Sequence, residues 1–280
     1  MHRLAIGMVL LLLCGSLPAQ ESEPEYGWTR EMAGGINVNQ TSFDNWQQGG
    51  ESSLAWQLFL NYKFVNDQLK TNWSNTGKMS YGRSKTGDSA SRKSVDEIKL
   101  ESVLTYKLRE KIGAFVAGTG ESQFAAGYDY ASEAEAQVSA FWDPAYFRES
   151  AGLTYKPSDI LQTRIGAALK QTLTRDYPAP YADDAATTAI EKTRFETGLE
   201  SVTDLDLKLS TDSQLTSKLE LFSNVEGVKE IDVSWDNVLT TKLTKFISVN
   251  INVKLFYDSD ISARRQLKQA LALGLSYTFL

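Results

Sequence analysis

The sequence predicts an all-β fold, an antiparallel transmembrane β-barrel of about twelve strands preceded by a signal peptide. Three observations lead to this prediction. Apolar and polar residues alternate with a period of two along most of the chain. The alternating segments are long enough to cross a bilayer, and short and long connections alternate between them. A large soluble β-sandwich would also alternate, but it needs neither strands of this length nor this asymmetry of the loops.

The N-terminal segment has the features of a secretory signal peptide. A short positive start, Met1-His2-Arg3, is followed by an apolar core from Leu4 to Cys14. Leu17-Pro18-Ala19 then provides a helix breaker and a small residue, so we expect cleavage after Ala19. The apolar core is well short of the roughly 20 residues of a spanning helix, which disfavours a membrane anchor. Residues 20–280 are then expected to form one barrel domain in the bacterial outer membrane.

Composition excludes several functional classes. Cys14 and His2 are the only cysteine and histidine, and both lie in the predicted leader. The remaining chain cannot form a disulfide, and it lacks the ligands that transition metals prefer, so no cofactor is predicted. The net charge is −6 and becomes −7 when Arg3 is lost with the leader. A mildly acidic chain with mixed signs argues against nucleic acid as a partner.

The alternating segments give the strand positions. Between residues 52 and 64, for example, Leu54, Trp56, Leu58, Leu60 and Tyr62 alternate with polar residues. Most segments reach or exceed the roughly 9–11 residues that a tilted strand needs to cross a bilayer. The predicted strands are 28–39, 52–64, 68–81, 95–108, 112–123, 146–156, 160–175, 193–209, 214–224, 230–243, 246–258 and 264–280.

The connections between these segments alternate in length. The short ones are 65–67, 109–111, 157–159, 210–213 and 244–245, and the long ones are 40–51, 82–94, 124–145 and 176–192. Short turns on the periplasmic rim and long loops on the outer rim are typical of outer-membrane barrels. Aromatic residues also cluster near both strand ends, where two interfacial girdles would contact outer-membrane lipid.

Three stretches resemble an uncharacterised outer-membrane family, domain of unknown function 3078. They are Asn45-Trp46-Gln47-Gln48-Gly49-Gly50-Glu51-Ser52; Trp142-Asp143-Pro144-Ala145-Tyr146 followed by Gly152-Leu153-Thr154-Tyr155-Lys156-Pro157; and Ile231-Asp232-Val233-Ser234-Trp235 together with 266–279. The resemblance implies an outer-membrane barrel and no established activity. Barrels inserted by the outer-membrane assembly machinery commonly end on an aromatic residue, whereas here Phe279 is penultimate.

No catalytic constellation is predicted. Barrel hydrolases rely on a histidine as the base that titrates near neutral pH, and no histidine remains after cleavage. Asp204 and Asp206 project to one side about 7 Å apart and could form a carboxylate pair, although a solvated lumen wall explains them as well. Loop carboxylates at Asp183-Asp184, or at Asp258 with Asp260, could bind calcium or simply aid solubility.

The loop that contains Asn45, Trp46, Gly49, Gly50 and Glu51 has two interpretations. It could fold into the barrel mouth as a constriction or dock a partner. Alternatively, it could be a tight turn whose glycines supply positive φ angles, with Trp46 at the membrane interface.

The inward face is the candidate functional surface. Assigning the apolar parity to lipid leaves a set of charged residues inside, with bases on the earlier strands and acids between residues 193 and 243. The candidates for selectivity are Lys70, Lys78, Lys99, Glu101, Arg148, Arg164, Lys170, Glu196, Glu200, Asp204, Asp206, Glu220, Asp232 and Asp236.

The sequence leaves two functions open. A barrel of about twelve strands would be roughly 24 Å across between backbones and leave an opening of about 10 Å between long side chains. Such an opening is wide enough for water and small solutes and narrow enough to be plugged by ion pairs or a loop. The first function is a passive channel for small polar solutes. The second is a closed structural or interaction barrel whose long outer loops bind a partner.

Overall fold

The computed structural model describes residues 26–43, 47, 50–130, 135–179, 181–183, 187–225, 231–258 and 264–279. The predicted signal peptide lies outside these ranges. The strands in chain order are β1 Gly27–Thr41, β2 Ser53–Asp67, β3 Thr71–Thr86, β4 Arg92–Arg109, β5 Ile112–Ser122, β6 Gly127–Tyr128, β7 Gln137–Ser139, β8 Ala145–Ser158, β9 Leu161–Leu173, β10 Thr193–Lys208, β11 Ser213–Asn224, β12 Ile231–Lys242, β13 Ile247–Tyr257 and β14 Gln266–Thr278.

Twelve of these strands form one closed antiparallel barrel. The order around the ring is β1-β14-β13-β12-β11-β10-β9-β8-β5-β4-β3-β2. Pairing of β1 with β14, from Ala33 opposite Thr278 to Asn37 opposite Gly274, closes the ring. The predicted fold class and all twelve predicted strands are therefore confirmed, with ends that shift by up to five residues. Among the described residues there is no helix long and apolar enough to cross a membrane.

The outer surface of the barrel is apolar. Leu271 is 70% exposed, Leu199 60% and Ile165 59%, and each lies on the outward parity of its strand. Such a surface is unfavourable in water and suits the hydrocarbon of a bilayer, where a closed barrel pairs every backbone group. Trp28 and Trp73 pack side by side at the short-turn end, with ring centroids 5.9 Å apart, as expected of an interfacial girdle. The chain is an outer-membrane barrel.

The inner surface is polar and charged. On β9, Arg164, Lys170 and Thr172 are buried while Ile165 between them faces outward. The lumen is therefore where this protein buries its charges. Because a buried charge is stable only when it is paired, the pairing inside the lumen determines what the barrel can do.

Two long loops at the long-loop end of the barrel are joined by hydrogen bonds. The loop between β5 and β8 carries the short β6–β7 ribbon, which the sequence analysis did not predict. In this loop the buried Asp143 accepts hydrogen bonds from the backbone N–H groups of Arg175 at 3.1 Å and Asp176 at 2.8 Å. Those two residues begin the β9–β10 loop, which also brings Tyr181 against the cavities inside the mouth.

Candidate functional site

The strand parity places nearly all of the predicted lumen residues on the inner wall. Lys70 is the exception, because it lies in the exposed β2–β3 turn, one residue before β3 begins at Thr71. The predicted strand began too early, since Gln68 and Leu69 continue the alternation without joining the sheet. The inward-facing residues are Lys78, Lys99, Glu101, Arg148, Arg164, Lys170, Glu196, Glu200, Asp204, Asp206, Glu220, Asp232 and Asp236.

Ion pairs join opposite walls across the lumen. Lys99 on β4 lies 2.8 Å from Glu220 on β11, five strands away around the twelve-strand ring. Glu101 on β4 pairs with Arg164 on β9 and with Lys218 on β11. We call these groups, together with a third cross-lumen pair on β3 and β12, the charged belt: Lys78, Lys99, Glu101, Arg164, Lys218, Glu220 and Asp236.

Each lysine of the charged belt holds two carboxylates, one near and one far. The near carboxylate lies on a neighbouring strand, and the far one lies on the opposite wall. Lys99 contacts Glu121 on β5 at 2.7 Å and Glu220 across the lumen at 2.8 Å. Lys78 contacts Glu97 on β4 at 3.2 Å and Asp236 on β12 at 2.9 Å.

Two further lysines of the inner wall, Lys218 of the charged belt and Lys170 outside it, also contact one near and one far carboxylate. Lys218 contacts Asp204 on the neighbouring β10 at 3.6 Å and Glu101 across the lumen at 2.5 Å. Outside the charged belt, Lys170 contacts Glu196 on the neighbouring β10 at 3.4 Å and Asp232, three strands away, at 2.7 Å. Lys254 on β13 contacts Glu97 across the lumen at 3.5 Å.

The direct pairs show that the barrel is flattened at the level of the charged belt. An extended lysine and an extended glutamate in contact span at most about 14 Å between their Cα atoms. A circular ring of twelve strands would be roughly 24 Å across. The β4 and β11 walls are therefore much closer than in a circular barrel. The expected opening of about 10 Å is wrong at this level, since the long side chains meet.

An internal cavity lies on the long-loop side of the charged belt. We call it the Arg148 cavity, and its volume is about 400 Å³. Its lining comes from strand ends at the long-loop rim and from Tyr181 of the β9–β10 loop. A second cavity of about 310 Å³ shares Glu121, Tyr146 and Tyr181 with the first and reaches Lys78. The mouth thus leads to two small polar chambers above a closed belt.

The carboxylates that the sequence suggested for a catalytic pair or for a calcium site contact other side chains. Asp206 accepts a hydrogen bond from Gln214 at 2.5 Å, and Asp204 contacts Lys218, so the two aspartates do not share a proton-transfer partner. Asp258 lies 3.0 Å from Lys170. Asp184 and Asp260 fall outside the described residues, within which no group of three or more acidic, histidine or cysteine side chains could hold a metal ion.

The motif loop is described only in part, because Asn45, Trp46 and Gly49 lie outside the described residues. Gly50 has a φ of 130°, and a Cβ atom there would lie 2.7 Å from the ring of Phe43. The backbone N–H of Phe43 donates to Ser52 Oγ at 3.1 Å. Glu51 reaches the β3–β4 turn, where its carboxylate would lie 2.7 Å from a Cβ at Gly87. In its described part, the loop packs against the β3–β4 turn through Glu51.

Several lumen residues were not predicted from the sequence. Glu97 and Glu121 face inward and pair with lysines, and Phe222 is 2% exposed inside the barrel. Parity alone could have identified them, since Glu97 shares the parity of Lys99, and Phe222 shares that of Glu220. Tyr181 could not have been placed, because no periodic pattern extends into its loop.

Two family models match this chain, each over part of its length. "Protein of unknown function (DUF3078)" matches residues 38–128, which confirms the resemblance there, and "Protein of unknown function, DUF481" matches residues 146–279. No curated protein matches.

Among solved structures, an outer-membrane channel from Pseudomonas putida F1 is 10% identical, with 95% of this chain and 100% of that chain covered and a TM-score of 0.45. The translocator domain of the autotransporter NalP from Neisseria meningitidis is 12% identical, with 92% and 90% covered and a TM-score of 0.41. The NanC porin is 8% identical, with 88% and 98% covered and a TM-score of 0.41. The chain is an outer-membrane β-barrel that matches two families of unknown function, one over each part of its length.

Proposed function

We propose that this barrel is a narrow channel for small polar solutes, which pass when lysines of the charged belt exchange their carboxylate partners. The observation that carries the proposal is that Lys78, Lys99 and Lys218 each hold a near and a far carboxylate at once. A lysine that releases its far carboxylate keeps its near one, so the two walls can part without leaving the ammonium group unpaired.

A buried charge that loses its partner costs free energy, and this cost limits how the belt can open. Breaking a buried ion pair by removing one partner costs about 3–5 kcal/mol, because the remaining charge is left uncompensated. A belt with one partner for each lysine would therefore resist opening. With two partners, the released carboxylate needs only a water molecule or the polar group of a solute, while the lysine remains paired. This favours passage of polar solutes over apolar ones.

Single-channel recording in planar bilayers tests the proposal. We expect the wild-type barrel to conduct weakly. The double variant Glu220→Gln with Asp236→Asn removes the far partners of Lys99 and Lys78 and should raise the conductance several-fold. The matched control is Asp204→Asn, which removes the near partner of Lys218 and leaves its cross-lumen bond to Glu101 in place. It should not raise the conductance.

A closed barrel is the second candidate, and it also has a specific observation behind it. The long loops are joined through Asp143, and Tyr181 of one of them lines both cavities above an already bridged lumen. In that case the function of the protein would be to bind a partner through its long loops. Wild-type and double-variant barrels that insert and fold, as judged by heat-modifiable gel mobility, but remain silent in bilayers would contradict the channel and favour this alternative.

A further inference from the structure

The Arg148 cavity contains a guanidinium group that lacks an acceptor. Within the part of the chain that the structure describes, Arg148 has no hydrogen-bond partner, and its Nε atom is buried without one. Its ion-pair contact is with Glu200 at 3.7 Å, beyond hydrogen-bond distance. Its register neighbour on β9 is Lys170, another cation. Arginine favours two parallel hydrogen bonds to a carboxylate. Glu121, Glu220 and Asp232 line the same cavity, but among the described residues none of them accepts a hydrogen bond from Arg148.

Glu121 provides the opposite charge nearby. Its side chain is 35% exposed, and its partner Lys99 is shared with Glu220. A carboxylate has about four acceptor positions, so one ammonium partner leaves room for a second. Arg148 and Glu121 do not contact each other within 4.0 Å, the limit for an ion pair.

The strand register fixes the distance between the Cα atoms of Arg148 and Glu121. On the inner face of β5 and β8, Thr119 lies opposite Arg148, and Glu121 lies opposite Tyr146. Arg148 and Glu121 are therefore diagonal neighbours, about 7–8 Å apart between Cα atoms. Their side chains present a cationic donor and an anionic acceptor to the same chamber, at a separation that suits a molecule carrying both charges.

The chamber also has an aromatic side. Its other charged lining residues are held in ion pairs, Glu220 with Lys99, and Asp232 and Asp258 with Lys170. Phe222, Phe256 and Tyr181 form its walls together with Tyr146. Phe222 lies over Gly198 of β10, where a Cβ atom would lie 2.7 Å from its ring, so the glycine makes space for the aromatic wall. A volume of about 400 Å³ falls within the usual range for a small-molecule site, about 300–1,000 Å³.

From these features we propose that the Arg148 cavity binds a small zwitterion with an apolar body, of the amino-acid class. The carboxylate of the ligand takes the free donors of Arg148, its ammonium group takes Glu121, and its apolar part packs against the aromatic walls. The inference deepens the proposed channel function by naming its solute class. Binding at this site does not require the charged belt to open, so the two can be tested separately.

Isothermal titration calorimetry on the full barrel in detergent micelles tests the proposal, with a titration into empty micelles as the blank. Three probes share one aromatic body: L-phenylalanine carries both charges, 3-phenylpropanoate only the carboxylate, and 2-phenylethylamine only the ammonium group. We expect L-phenylalanine to bind at least tenfold more tightly than either singly charged probe, because each missing charge forfeits one charge-assisted contact.

Two variants assign the contacts. Arg148→Gln should weaken L-phenylalanine binding about tenfold or more and leave 2-phenylethylamine unchanged. Glu121→Gln should weaken L-phenylalanine and leave 3-phenylpropanoate unchanged. Arg175→Gln is the matched control, since Arg175 lies in the outer loop and contacts Asp176 at the surface. It should bind L-phenylalanine like the wild type.

Specific results would overturn the proposal. Equal affinity for all three probes would show a nonspecific aromatic pocket. Tighter binding of 3-phenylpropanoate or of 2-phenylethylamine than of L-phenylalanine would assign the site to anions or to cations. L-phenylalanine binding that survives both variants would place the ligand elsewhere. If binding follows the expected pattern but the barrel stays silent in bilayers, the site stands and the channel proposal fails.

Discussion

Replacing Glu101 with glutamine removes one charge from the centre of the charged belt and almost none of its volume. Glu101 accepts from both Arg164 and Lys218, and its side chain is only 10% exposed. Arg164 is 3% exposed, and its Nε and Nη1 atoms are already buried without partners. After Glu101→Gln, Lys218 keeps Asp204 at 3.6 Å, whereas Arg164 has no other ion-pair partner within 4.0 Å in the described residues.

The expected loss of unfolding free energy depends on which cation is left without a counter-charge. Lys218 has a second carboxylate, so most of the loss falls on Arg164, a buried guanidinium without a counter-charge. Removing one partner of such a pair costs about 3–5 kcal/mol. We therefore expect the free energy of unfolding to fall by about that amount. Urea titration of the barrel in lipid vesicles, followed by the fluorescence of the six tryptophans, measures it.

Asp159→Asn is the matched control. Asp159 pairs with Lys156 at 2.8 Å in the periplasmic turn, and its side chain is 98% exposed, so the substitution should hardly change the free energy of unfolding. If Glu101→Gln is as mild as this control, the belt charges are solvated in a wide aqueous pore, and the flattened, bridged lumen is refuted. A double-mutant cycle with Lys218→Met should give a coupling energy between about 0.5 and 3 kcal/mol, as for residues in contact.

Three further outcomes are expected. Leu219→Arg places a charge on the lipid face midway along β11 and should lower the free energy of unfolding by about 2–4 kcal/mol in the same titration. Leu219→Ala should lower it by less. If the two substitutions lower it equally, Leu219 faces the lumen, and the inward and outward parity is reversed. A cysteine at Ser89 should react with a membrane-impermeant maleimide on intact cells, and one at Ser158 only after lysis; the reverse labelling would invert the topology. Tyr181→Ala should raise single-channel conductance by widening both cavities, which Tyr181 lines, whereas Tyr128→Ala on the β6–β7 ribbon should not; equal conductance would show that Tyr181 does not restrict the path.

The fold was predictable because the alternation of a lipid-facing strand is visible within its own short segment of the sequence. Each residue is either inside or outside, so the two-residue alternation identified twelve strands and their facing directly from the sequence. The strand ends were less certain, as at Lys70, because a turn residue can continue the alternation without joining the sheet. The β6–β7 ribbon was missed because two- and three-residue strands are too short to show any period.

The lumen was predictable in composition but not in shape. Parity placed most bases on β3, β4, β8 and β9 and most acids on β10 to β12. The structure departs from this division at inward-facing acids on β4 and β5 and at a base on β11, namely Glu97, Glu101, Glu121 and Lys218. The sequence could not show that Lys99 would reach Glu220, because the distance between opposite walls depends on how the whole ring is flattened. A circular barrel was the natural assumption, and it overestimated the width at the charged belt.

The flattened cross-section and the two-partner lysines are aspects of one arrangement. Neighbouring strands carry like charges in register, such as Lys78 opposite Lys99 and Arg148 opposite Lys170, and such pairs repel. Acids on the opposite wall relieve this repulsion only if the walls approach each other, so the separation of charge by strand favours the flattened ring. An apolar plug would close the lumen as well, but it would offer nothing to a polar solute. The same charge pattern that draws the walls together therefore also supplies the exchangeable partners that a polar solute needs to pass.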